Sequence, residues 1–183
     1  RSSDLKSFVF GRPALEVIFE RMPATLELAF VAMLIAVALG IPLGLYAGLK
    51  PDAFGSRAIM AGSILGFSLP TFWVGLMLIM VFAVQLKILP STGRGETATL
   101  FGVAWSFLTL DGLLHLILPA LNLALFKISL VIRLTRSGVR ETILMDYVKF
   151  ARAKGLSPSR VMIVHVLRNT LIPVITITGL QLG

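Results

Sequence analysis

The 183-residue sequence contains no cysteine. That absence excludes a disulfide framework, a thiolate metal site and a thiol nucleophile. Histidine is nearly missing too: His115 and His165 are the only two, and neither has a partner at metal-ligand spacing. Charge is scarce as well. Charged residues make up 14% of the chain, where an ordinary soluble domain carries about 25%. Apolar residues fill the space, at 56% of the composition with a mean hydropathy of +0.91. A soluble protein with a large core does not need uncharged stretches as long as Ala58 to Leu86. The composition therefore defines a polytopic membrane protein.

The apolar runs predict four spans, at about 25–49, 58–89, 113–132 and 162–183. Residues 1–24 precede them as an extracytoplasmic segment, in which Pro13 opens a short interfacial amphipathic helix or else a plain surface loop. Glu27 is the only charge in the first span, placed where a carboxylate can still reach the interface. Gly40, Gly44 and Gly48, four apart, permit close approach by another helix. The second span is too long to cross straight, since its residues would extend about 45 Å as a helix against roughly 30 Å of hydrocarbon. A kink is expected at Gly66–Trp73, where Pro70 removes a backbone donor. Backbone groups freed at membrane depth belong in protein or beside a water-filled path, so Ser68, Pro70, Thr71 and Trp73 are candidate path residues. A packing kink with no substrate nearby fits the same residues. Pro119 and Asn122 interrupt the third span, and Asn122 joins the path candidates. Lys127 lies inside that span, either as a functional charge or snorkelling toward the basic side. Trp105 and Phe107, in the connection before it, suit an interfacial aromatic belt.

The net charge of +8 has a location. Between Arg133 and Arg168 stand eight basic residues against Glu141 and Asp146, a net of +6. The 90–112 connection holds Arg94 against Glu96 and Asp111, a net of −1, and Lys50–Arg57 holds two bases and one acid. Bases in short connections mark the cytoplasmic side, so residues 133–161 and Lys50–Arg57 are assigned inward and the other connections outward.

The stretch Ser137–Pro173 is the only long segment that is basic, polar and helical in pattern. A helix runs through Tyr147–Lys154 and stops at Gly155, and a second begins with Ser157 as N-cap and Pro158 at the first helical position. On a 100° wheel Tyr147, Phe150, Ala151, Lys154 and Gly155 share one arc, extended upstream by Ile143 and Leu144, with Lys149 and Arg152 opposite. Such a face suits burial in a partner's groove. Ala151, Gly155, Ser157 and Val161 also match helix-turn-helix spacing, but the second helix runs directly into a membrane span and cannot enter a major groove, so no nucleic acid is expected. A basic loop lying on anionic lipid accounts for the charge but not for the Gly155 break.

Asp146-Tyr147-Val148-Lys149-Phe150-Ala151-Arg152-Ala153-Lys154-Gly155-Leu156-Ser157, followed by His165, Arg168-Asn169 and Leu171-Ile172-Pro173, resembles the cytoplasmic loop of ABC importer permeases. More narrowly it is similar to the dipeptide/oligopeptide/nickel branch, as are Arg21–Leu28, Ser68–Trp73 and Gly179–Gly183. Lys149 stands where importers with a Glu-Ala-Ala loop carry Glu, which suits the peptide branch, and Phe150 stands where that branch usually has a small residue. The resemblance implies an all-α, type I ABC importer permease fold over residues 25–183, with a coupling helix in the 133–161 loop. It implies an ATPase-docking set of Tyr147, Ala151, Arg152, Lys154, Gly155 and Leu156. It implies as partners cytoplasmic ABC ATPase subunits, a second permease subunit, an extracytoplasmic binding protein and membrane lipid. No catalytic residue, metal or cofactor is expected on this chain, ATP and Mg being held by the partner subunits. Beginning at Arg1 without Met and ending in an apolar run, the sequence reads as the middle of a six-span subunit of the bacterial cytoplasmic membrane. The alternative is an ATP-independent channel or secondary carrier.

Overall fold

The computed structural model describes residues 14–100, 102–157, 160–161 and 166–180, with side chains from Arg21 onward except those of Arg152, Asn169 and Thr178. The helices are α1 (Ala14–Leu49), α2 (Phe54–Ser68), α3 (Thr71–Leu78), α4 (Leu110–Leu144), α5 (Asp146–Ala153) and α6 (Arg168–Leu180). A π-helical turn, Ile79–Gln85, continues α3, and strands β1 (Ala98–Leu100) and β2 (Val103–Trp105) form an antiparallel hairpin.

Two helices are long and apolar enough to cross a bilayer, Arg21–Leu49 within α1 and Leu110–Leu144. The expected second span is α2 followed by Thr71–Gln85, bent by 105°. Leu69 takes the extended conformation (φ −76°, ψ 135°) that a residue before proline favours. Ser68 Oγ donates to the Ile64 carbonyl at 2.8 Å, and the amides of Trp73 and Val74 donate to Pro70 O at 3.0 and 3.1 Å, so each side of the break is capped locally. Of the expected fourth span, 162–183, the described helix covers Arg168–Leu180.

Several boundaries differ from the sequence reading. The short helix expected after Pro13 and the first span are one uninterrupted helix, α1, which continues through Pro23. The helix of the third span runs on past 132: α4 remains helical to Leu144, because the charges of Arg133, Arg136 and Arg140 change its surface without breaking its backbone. The hairpin was not expected in an all-α chain. Thr99↔Ala104 and Leu100↔Val103 pair across a turn in which Gly102 adopts φ +77°, and Phe101-Gly102 between apolar and β-branched residues was its sequence signal. Two residues beyond the π turn stands Lys87, the one non-glycine residue with positive φ among those described (φ 54°).

Two compact units emerge. The first combines the chain up to Val31 with Gly75–Ala120. Glu27, expected to reach the interface, is instead buried, at 3% exposure. The amide of Phe107 donates to its Oε1, and Arg94 donates to Oε2 at 3.4 Å and to the Ala104 carbonyl at 3.1 Å. A carboxylate taken out of water needs such donors, and the loop supplies them. The same loop is fastened to the start of α4. Thr109 caps that helix by accepting from the Gly112 amide at 3.0 Å while donating to the Glu96 carbonyl. Asp111 accepts from the Glu96 amide at 2.8 Å.

The second unit holds Ala32–Val74 and the chain from Leu121 onward. The helix admitted by the α1 glycines is α4: Gly40 faces Val131, Gly44 faces Thr135 and Gly48 faces Val139. A Cβ on Gly44 would stand 2.6 Å from the Thr135 Cβ and 2.8 Å from the Ile132 carbonyl oxygen. At Gly62 of α2 a Cβ meets nothing within 4 Å.

These contacts predict opposite outcomes for two glycines. Gly44→Ala forces the α1–α4 seam apart and destabilises the detergent-solubilised protein by about 1–3 kcal/mol. Gly62→Ala is neutral or gains up to about 1 kcal/mol from helix propensity; paired thermal melts check both. In the first unit, Glu27→Ala leaves the half-buried amide of Phe107 without its acceptor and loosens the loop by about 1–3 kcal/mol, read as faster hydrogen exchange at that amide, while Glu27→Gln retains part of the protection.

Candidate functional site

The hairpin after α4 is built from the backbone outward. Leu144 ends α4, Met145 breaks the ladder, and the amides of Val148 and Lys149 start α5 by donating to the Met145 carbonyl at 3.1 and 3.2 Å. The other end is a Schellman cap. Gly155 takes φ +77°, and the amide of Leu156 donates back to the Ala151 carbonyl at 3.3 Å. No heavy atom lies within 4 Å of the position a Gly155 Cβ would take, so the demand for glycine comes from backbone handedness, not from crowding. Ser157 follows as a partial cap, accepting from the Arg160 amide at 3.4 Å.

One face of α5 is held by the protein itself. Val148 and Ala151 are buried with Val139, Val161 and Val166, and Leu45, Ile143 and Leu156 pack around them. The opposite side is open. Tyr147 is 44% exposed and Phe150 63%, with Leu144 and Met145 exposed just upstream. The Lys154 ammonium lies 4.9 Å from the centre of the Phe150 ring, and Lys149 pairs with Asp146 at 3.0 Å.

The arc of the sequence reading therefore divides. Tyr147, Phe150, Lys154 and Gly155 lie at the surface. Ala151 turns inward, and Leu156 closes the cap against the same core. The wheel fixed which residues share a direction but not which neighbouring element would claim them. Arg152 lies in α5 with its side chain outside the described residues, as do His165, Pro158 and residues 181–183. Met145, which the wheel did not single out, is the exposed apolar residue that sequence reasoning missed.

The path candidates are placed as follows. Ser68, Pro70, Thr71 and Trp73 are all exposed at the α2–α3 break. Phe67, next to them, stacks on Phe126 of α4 with ring centres 4.7 Å apart, and Asn122 lies one turn along α4 from Phe126. The Asn122 Oδ1 is buried without a hydrogen-bond partner. Lys127 is half-buried. Among the described residues no group of three or more His, Cys, Asp or Glu side chains could hold a metal.

Membrane-crossing helices, a broken span and a capped helix with one anchored and one open face define a multi-pass membrane component. The chain belongs to the family described as "Binding-protein-dependent transport system inner membrane component", which matches residues 40–183. It is 44% identical over 173 residues to a di/tripeptide transport system permease protein of Pseudomonas aeruginosa, covering 88% of this chain and 52% of that protein. It is 37% identical to a dipeptide transport system permease protein of Escherichia coli over 93% of this chain and 55% of the relative. It is 39% identical to an oligopeptide transport system permease protein of Bacillus subtilis, over 94% and 52%. These relatives place it in the peptide branch of ABC importer permeases, an inner-membrane family. The chain spans about half the length of the curated relatives it matches.

The two faces of α5 predict different responses to truncation. Val148→Ala opens the shared core and costs about 1–3 kcal/mol, read as faster amide exchange at Leu156. Phe150→Ala, on the open face, changes stability by no more than about 0.5 kcal/mol.

Proposed function

We propose that this chain is part of the membrane subunit of an ATP-driven importer for peptides, and that α5 is its coupling helix. One observation carries the reading: α5 exposes Tyr147 and Phe150 while Val148 and Ala151 bind it to α4 and the chain beyond Gly155. A helix held in this way passes a push on its open face into the helices behind it. A loosely tethered one would absorb the push.

In this reading a cytoplasmic ATPase subunit grips Tyr147, Phe150, Arg152 and Lys154, and Gly155 sets the angle at which the chain leaves the grip. ATP and Mg are bound and hydrolysed on that partner, and this chain contributes no catalytic group. A second permease subunit completes the pathway. An extracytoplasmic binding protein delivers the solute to the side carrying the Arg94–Glu96 loop. The break at Leu69–Pro70 and the neighbouring face of α4 form part of the wall along which the solute passes. Peptides are the solute class because the relatives at 37–44% identity are named for di- and tripeptides, dipeptides and oligopeptides.

Gly155 gives the test. In the complete transporter, Gly155→Val forbids the left-handed cap and abolishes ATP-dependent peptide uptake while the subunit still inserts at normal abundance. Gly155→Asn, which tolerates positive φ, retains most of the uptake. Full uptake by the valine variant would remove the coupling role, and uptake that survives ATP depletion would favour a channel or carrier.

A further inference from the structure

A polar row runs along one face of α4. Asn122, Ser129, Arg133, Arg136 and Arg140 alternate at steps of seven, four, three and four residues, which keeps them on one side of a helix. The opposite side carries Val131, Thr135 and Val139, which meet the α1 glycines. The polar side is the one on which the end of α2 rests. Phe67 stacks on Phe126, a Cβ on Gly66 would come within 2.8 Å of Ser129 Oγ, and the Arg133 guanidinium lies 4.5 Å from the Phe67 ring centre.

Depth follows from the seam. α1 has no charged residue from Leu28 to Leu49, and its last seam glycine, Gly48, faces Val139. Arg133 lies six residues further in along α4, about 9 Å, and Arg136 about 4.5 Å. Both arginines therefore stand beside the apolar run of α1, where a cation is costly without an anion. Neither has a carboxylate partner among the described residues, and the Nε of each is buried with no hydrogen-bond partner. Lipid phosphates belong at the level of Lys50 and Arg140, nearer the end of the seam, and Arg133 lies deeper than that.

We propose that Arg133 and Arg136 form a binding point for the terminal carboxylate of the transported peptide, beside the α2–α3 break. The Phe67 ring lies against the Arg133 guanidinium, and a planar guanidinium offers paired N–H donors to a carboxylate. This rests on the reading of the chain as a peptide permease and adds to it the group that is recognised.

The test uses the complete transporter with its binding protein in vesicles, comparing a dipeptide with its C-terminal amide. Arg133→Gln lowers uptake of the free-acid peptide by about tenfold or more and leaves uptake of the amide near the wild-type level. Arg136→Gln, a separate variant that leaves the Phe67 stack in place, shifts the ratio in the same direction. Arg133→Lys restores part of the loss, because it keeps charge but not the planar fork. Equal losses for both peptides at normal membrane abundance would make the arginines structural and overturn the inference. So would wild-type uptake that collapses in phosphatidylcholine vesicles, returns with phosphatidylglycerol, and becomes indifferent to lipid in Arg133→Gln, since that pattern marks a headgroup site. A wild-type transporter that moves neither peptide fails the underlying function, whereas variants that move both peptides as the wild type does sink only the carboxylate site.

Discussion

The close approach of α1 to α4 is the constraint on which the second unit depends. Three glycines at four-residue spacing let Val131, Thr135 and Val139 sit against the α1 backbone. That contact sets the rotation of α4, and the rotation assigns every other face. It puts Val139 where α5 can pack on it, with Leu45 of α1 at the edge of the same core. It also turns Phe126, Ser129 and Arg133 away from α1 and toward the end of α2. Side chains on α1 in place of the glycines would separate the helices and release both arrangements together.

In the first unit one carboxylate has a comparable part. Glu27 is the acceptor around which the connection from Arg94 to Phe107 closes. The hairpin is short, and a two-stranded ribbon is only marginally stable alone. It is held because Arg94 bonds at once to Glu27 and to the Ala104 carbonyl in β2, while Thr109 and Asp111 hold Glu96 from the other side. The loop is thus tied to two helices by backbone and charge more than by apolar packing.

The sequence made some of this legible and not the rest, for identifiable reasons. Long uncharged runs reveal α1 and α4 because the bilayer leaves little freedom in length and polarity. Pro70 announces the break and Gly155 the end of α5, since both act through the backbone of their own neighbourhood. Features that depend on distant partners were hidden. Nothing local says that Glu27 is buried, because its donors lie 67 and 80 residues away. Ala151 falls on the same wheel arc as Phe150, yet only the position of Val139 and Val166 decides that it points inward. α4 outlasts its apolar run because a helical backbone does not depend on apolar side chains, so Arg133, Arg136 and Arg140 change its surface without ending the helix.

The break between α2 and α3 has an electrical consequence. Phe54–Ser68 and Thr71–Gln85 each hold 15 residues, so as a helix each half reaches about 22 Å, short of the hydrocarbon thickness. Each half carries its own peptide dipole, negative at its C-terminal end and positive at its N-terminal end. At Leu69–Pro70 the negative pole of one half meets the positive pole of the other across two residues. The poles largely neutralise each other there, so the corner adds irregular backbone to the membrane region with little net field of its own.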